Sequence, residues 1–120
     1  MKTSELIGPA LDWAVAKCEW AGRPARPYFI NGTIQITNWI PGKIFSPSTD
    51  WSQGGPIIER EINTLIRCKD GCNKPVYFEA RAGFDEESVT QYGPTPLIAT
   101  MRCYVASLLG NEVEVPEQLL

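Results

Sequence analysis

The periodicities along the chain predict an α+β fold: a small antiparallel sheet of two hairpins, an N-terminal and a C-terminal helix packed on it, and a short central helix. Three observations carry this expectation. Apolar residues recur at helical spacing near both ends, two strand-turn-strand patterns lie between them, and a run of helix-capping residues separates those patterns. The order helix, strands, short helix, strands, helix suits an antiparallel sheet with helices on one face. A length of 120 residues is enough for one hydrophobic core and too short for two, so residues 1–120 are read as a single domain.

Thr3 or Ser4 offers a cap ahead of the first helix, and Pro9 suits the first turn of its main segment. Leu11, Ala14, Val15 and Cys18 share one face, and Gly22 with the prolines at 24 and 27 ends the helix. From Tyr28 to Phe45 the period changes to two. Ile34, Ile36 and Asn38 fall on one side and Thr33, Gln35 and Thr37 on the other, with turn signals at Asn31-Gly32 and Pro41-Gly42. Ser46-Pro47-Ser48-Thr49-Asp50 then offers successive caps to a short helix over Trp51 to Glu61, in which Gly54-Gly55-Pro56 is expected to force a break or a restart. Ile62 to Cys68 and Val76 to Ala82 read as strands around the turn Lys69–Asn73, where Asp70-Gly71 is the strongest hairpin signal in the chain. Residues 83 to 92 read as a polar, acidic loop. Pro94 or Pro96 starts a last helix with Leu97, Ile98, Met101, Val105 and Leu108 on one face, and Gly110 ends it.

The composition excludes several chemistries. There is no histidine, which removes Ser-His-Asp and Cys-His nucleophiles, histidine acid–base catalysis and histidine metal sites. Of the four cysteines, Cys68 and Cys72 are spaced more widely than a C-x2-C knuckle, and Cys18 and Cys103 fall on the two end helices. No metal site and no cofactor are expected, and Cys18 and Cys103 read as small buried hydrophobes with reduced thiols. A net charge of −3 with scattered Lys and Arg argues against nucleic acid as a partner. The chain shows no apolar run of membrane-spanning length and no secretory signal, so the expected compartment is the cytoplasm with no membrane partner.

The richest stretch for function is Asp50–Glu61. As structure, Asp50 is a helix cap, Trp51 a core anchor and Gly54-Gly55-Pro56 a turn. As a site, Gly54 and Gly55 let a ligand approach the main chain, Trp51 offers a stacking plane, and Gln53 supplies a donor and an acceptor. Arg60 can hold a phosphate or carboxylate in its planar fork, or lie on a solvated face between Glu59 and Glu61. Thr95 and Pro96 form a helix start whose free amides suit an anion. Arg102 in that helix is expected to pair with Glu112 or Glu114, or to reach a neighbouring subunit. Trp13 lies off the main face of the first helix and Trp39 follows a half-polar strand, so either ring completes the core or stacks on a ligand. The stretch lacks the Lys-Ser/Thr ending of a phosphate-binding P-loop, and no nucleophile accompanies Glu59 and Glu61; an enzyme is not expected.

Three segments carry a family likeness. They are Lys2–Leu6 with Ala10–Ala16, Ser48–Glu61 (STDWSQGGPIIERE) and Gly93–Tyr104 (GPTPLIATMRCY). In this order they resemble the NinX-like proteins of tailed bacteriophages. The resemblance implies a phage accessory protein expressed in the host bacterial cytoplasm. With the residues above, it leads to the expectation of a non-enzymatic binding protein that counters host defence by sequestering a small nucleotide-like signal. That protein would be a homo-oligomer burying its ligand between chains. The alternative is a protein–protein interaction module that inhibits or modulates a host or phage protein.

Overall fold

Helix α1 (Gly8–Glu19) buries Leu11, Ala14 and Val15 of the predicted face, while Cys18, expected to be buried with them, is half-buried; Ala10 and Ala16 are buried besides. Its cap is neither Thr3 nor Ser4. The chain enters through Ile7, which makes no side-chain cap, and Thr3 belongs to a separate 3-10 turn at Thr3–Glu5. Thr3 is fully buried, and its hydroxyl donates at 2.7 Å to the Gly110 carbonyl at the far end of the chain. A buried hydroxyl needs a partner, and a helix-end carbonyl is an acceptor left unpaired by the helix itself.

The computed structural model describes residues 1–23, 26–37, 39–40, 42–69, 76–83 and 85–119. The expectations for Pro24, Asn38, Pro41, Asp70-Gly71 and Cys72 fall outside them. Strands β1 (Pro27–Ile30) and β2 (Thr33–Ile36) pair antiparallel with Ile30 opposite Thr33. This leaves Asn31-Gly32 as a two-residue loop, and both residues have positive φ, 50° and 78°. That is the backbone a tight hairpin demands and the reason for an Asn-Gly pair there. Ile34 and Ile36 point into the core as the alternation predicts.

Helix α2 (Trp51–Glu61) is continuous through Gly54-Gly55-Pro56, against the expected break. Neither glycine has a positive φ. The usual obstacle to helical backbone before proline is a clash with the preceding Cβ, which Gly55 lacks. Gly54 answers a different need: a Cβ there would lie 2.6 Å from both Leu97 Cδ2 and the Pro47 carbonyl oxygen. Ile62 caps α2 rather than opening a strand.

Strands β3 (Thr64–Lys69), β4 (Val76–Ala82) and β5 (Val89–Gly93) form a second antiparallel sheet in the order β3-β4-β5. The fold is therefore α+β with two small sheets, and the stretch expected as a loop at 83–92 contains a strand. Helix α3 (Pro96–Leu109) starts on Thr95, whose hydroxyl oxygen accepts from the Ile98 amide at 3.1 Å, and ends at Gly110 with φ 84°. Its buried residues run almost unbroken from Leu97 to Ala106, because α1 and α2 cover one side and β4 and β5 the other. Leu108 is instead exposed. The main core joins α1, β2, α2 and α3, and a smaller cluster of Ala80, Ala82, Ala99 and Cys103 lies where α3 meets the sheet. Gly93 permits that approach, since a Cβ on it would stand 2.7 Å from the Ala99 nitrogen. Among the described residues no helix is long and apolar enough to cross a membrane.

Candidate functional site

The start of α2 is a closed hydrogen-bond knot. Asp50 Oδ1 accepts from the Ser52 amide at 2.9 Å and the Ser52 hydroxyl at 2.6 Å, and Oδ2 accepts from Gln53 Nε2 at 3.1 Å. These bonds, led by the Ser52 hydroxyl, hold the Asp50 pKa below the ordinary carboxylate value. Gln53 also donates to the Ile44 carbonyl at 3.0 Å and accepts from the Ser46 amide at 2.8 Å. The amides of Gln53 and Gly54 both donate to the Asp50 carbonyl. The start of α2, where Gly54 and Gly55 were expected to open the main chain to a ligand, thus turns three amides onto Asp50 itself. Trp51 is 55% exposed and anchors no core. A Cβ on Gly55 would meet open space.

The remaining predicted residues also hold the fold. Arg60 Nη2 donates to Glu19 at 2.8 Å and Nε to Glu61 at 2.9 Å, with the guanidinium 5.8 Å from the Tyr104 ring centre. The Glu19 contact leads in raising the Arg60 pKa. Arg102 reaches neither Glu112 nor Glu114: Nε donates to the Leu6 carbonyl and Nη1 to the Tyr92 carbonyl, each at 2.8 Å. Gly54 packs on Leu97, so the α2 stretch and the start of α3 lie side by side. It is a packed joint, and none of the eight predicted residues lines either cavity that follows.

A cleft of about 500 Å³ opens between the second half of α1, the start of β1 and the end of α3. Trp13, Lys17 and Trp20 line it from α1, Arg26 and Pro27 from β1 and its approach, and Leu109 from α3. The three α1 side chains recur at i, i+4 and i+7, which places them on one stripe of the helix. Trp20 is held edge-on by Phe45 at 5.1 Å and by Trp39 at 5.8 Å. Trp39 is therefore part of an aromatic cluster rather than a free stacking plane. Arg26 is steadied by a bond from its guanidinium to the Arg23 carbonyl. The cleft walls are largely apolar with the two cations among them, so they can take a planar ring and a negative group together.

A second cavity, of about 200 Å³, lies at the start of α1 against the β1–β2 turn and the Ile44–Thr49 segment. Asp12 is in its wall and only 5% exposed. The Ser48 amide donates to Asp12 Oδ1 at 2.9 Å. Burial pushes the Asp12 carboxyl up to about 6, partly offset by Ser48. Asp12 was not singled out from the sequence; the available signal was a lone acid in an otherwise apolar stretch, Ala10–Ala16. Burial likewise pushes the Cys18 thiol up to about 12 and Cys103 to about 11, which suits inert, space-filling roles. Among the described residues no group of three or more Cys, Asp or Glu side chains could hold a metal ion.

Fold and cleft together define a small α+β domain built around one central helix, with an open aromatic cleft on the flanking one. Residues 2–108 match the family model described as Bacteriophage P22, NinX, and the chain belongs to that family. It is accordingly a phage accessory protein. No curated protein matches the chain.

Proposed function

We propose that the protein is a non-enzymatic binding protein that sequesters a small nucleotide-like signal in the Trp13–Trp20 cleft, and so counters a host defence. The observation that carries this reading is the pairing of two indoles with Lys17 and Arg26 on one open cleft. The base would stack on an indole while the phosphate meets the cations. The volume lies within the range of small-ligand sites, about 300–1,000 Å³. The Asp50–Arg60 knot and the Thr95 cap serve as framework for this purpose, because their polar groups are already paired. In this reading a second copy closes over the cleft and buries the ligand, making the protein a homo-oligomer.

Calorimetric titration against a panel of mononucleotides and cyclic nucleotides tests the proposal. Saturable heat is expected from at least one nucleotide, weakened about tenfold or more by Trp13→Ala or Lys17→Glu, corresponding to roughly 1.4 kcal/mol or more. Absence of heat and of any melting shift across the panel would end it. A second reading, an interaction module for a host or phage protein, is favoured by Ile66 and Tyr92. Both are exposed on the sheet face opposite α3. Stoichiometric capture of one protein from infected cells, lost in Tyr92→Asp and kept in Trp13→Ala, would favour that reading over the first.

A further inference from the structure

The cavity at the start of α1 has a chemistry opposite to that of the tryptophan cleft. Among the described residues lining it, Asp12 is the only ionisable side chain. The other walls come from Gly8 and Pro9 of α1, Gly32 and Thr33 of the hairpin, and the Ile44–Thr49 segment, and they bring no charge. Thr33 donates its hydroxyl to the Ile30 carbonyl. Asp12 forms no ion pair among the described residues; its one clear bond is from the Ser48 amide, which leaves acceptor capacity on a carboxylate of two oxygens. Ser48 is buried beside it; its hydroxyl meets no full hydrogen-bond geometry with a described group, though it lies near enough to Asp12 to help lower that carboxyl's pKa. At about 200 Å³ the space far exceeds the roughly 30 Å³ share of one water. Ile44, nearly half exposed, and the buried Phe45 make one side of the cavity apolar.

We propose that this cavity is a receptor for an alkyl amine, with the aliphatic stem along Pro9, Ile44 and Phe45 and an ammonium or guanidinium head on the Asp12 carboxylate. A buried carboxylate without a counter-charge gains most from a cation. A single carboxylate among apolar walls suits an organic cation over a divalent metal, which demands several oxygens. The positive end of the α1 dipole opposes the head only weakly, since Asp12 lies beyond the first turn and the helix-end field fades within that turn. A free amine and the Lys or Arg of a partner protein present the same head and stem.

The test titrates the full chain with n-butylammonium, with a short peptide carrying one lysine, and with n-butanol as the neutral counterpart. The readouts are the Asp12 carboxyl and Ser48 amide NMR shifts. Saturable shifts are expected from the two amines and not from butanol. Affinity falls roughly tenfold between about pH 7 and about pH 5 as Asp12 takes up its proton, and saturating amine lowers the pH midpoint of Asp12. The arm that binds tighter, free amine or peptide, identifies the source. Asp12→Asn removes the saturable shifts. The wild-type titrations decide the matter on their own if that variant folds poorly. Equal response to butanol, or no saturable shift at Asp12 and Ser48 with either amine, overturns the proposal.

Discussion

Asp12 gives the folded chain a pH dependence of its own. Its carboxyl titrates near 6 in the fold against an ordinary 3.8, so between those values the folded chain holds a proton that the unfolded chain has released. Stability therefore falls as the pH rises through that window, by about 3 kcal/mol for this residue alone, and stays at the lower level above it. Urea unfolding at a series of pH values is expected to show this decline, and Asp12→Asn to flatten it. Gly54 and Gly55 make a second residue-scale contrast. Gly54→Ala forces a Cβ against Leu97 and Pro47 and is expected to cost about 1–3 kcal/mol by overpacking. Gly55→Ala enters open space and is expected to cost far less, since only the strain before Pro56 opposes its gain in helix propensity. Urea midpoints of the two variants check the order. The caps at Asp50 and Thr95 were legible in the sequence because a cap is decided within four residues. The reason for Gly54 was not, because it rests on contacts with Leu97, forty-three positions away.

At the level of elements, two arginines tie helices to their neighbours, and Arg60 joins α2 to α1 through Glu19. Arg102 joins α3 to the Leu6 turn and to β5 through two carbonyls. Arg102→Met is expected to lower stability by about 1–3 kcal/mol, since two acceptors lose a charged donor, while Glu112→Gln and Glu114→Gln leave the melting temperature nearly unchanged. Thermal unfolding of the three variants distinguishes these roles. The existence of the three helices and the pairing of both hairpins could be read in advance because their periods are strong, but not the entry to α1 or the continuity of α2. Strand β5 could not. Thr90 and Gln91 on opposite faces give Val89–Gly93 no apolar alternation, and the acidic Asp85–Glu87 turn ahead of it imitates a loop. Its pairing with β4 and the close seat of Gly93 on α3 make it a strand, and neither leaves a periodicity within Val89–Gly93 itself. The stripe Trp13, Lys17, Trp20 has helical spacing but was not singled out from the sequence, since nothing local shows that Arg26 and Leu109 complete a cleft with it.

For the whole molecule, α3 is shared between the main core and the smaller cluster, with α1 and α2 on one side and the sheet on the other. Amide exchange is expected to be slowest in α3 and fastest, among the strands, in β3, an edge strand with five of its six residues exposed. Uniform exchange across both would contradict that hierarchy. The aromatic cluster adds a consequence of another kind. Trp20 is at once a wall of the cleft and the edge-on neighbour of Trp39 and Phe45. Two indoles at 5.8 Å and 68° couple their electronic transitions, so the protein carries an exciton signal that reports their mutual angle. A ligand that turns Trp20 by a few degrees would change the circular dichroism of the pair without any added label, and Trp39→Phe would silence that signal while leaving the cleft wall in place.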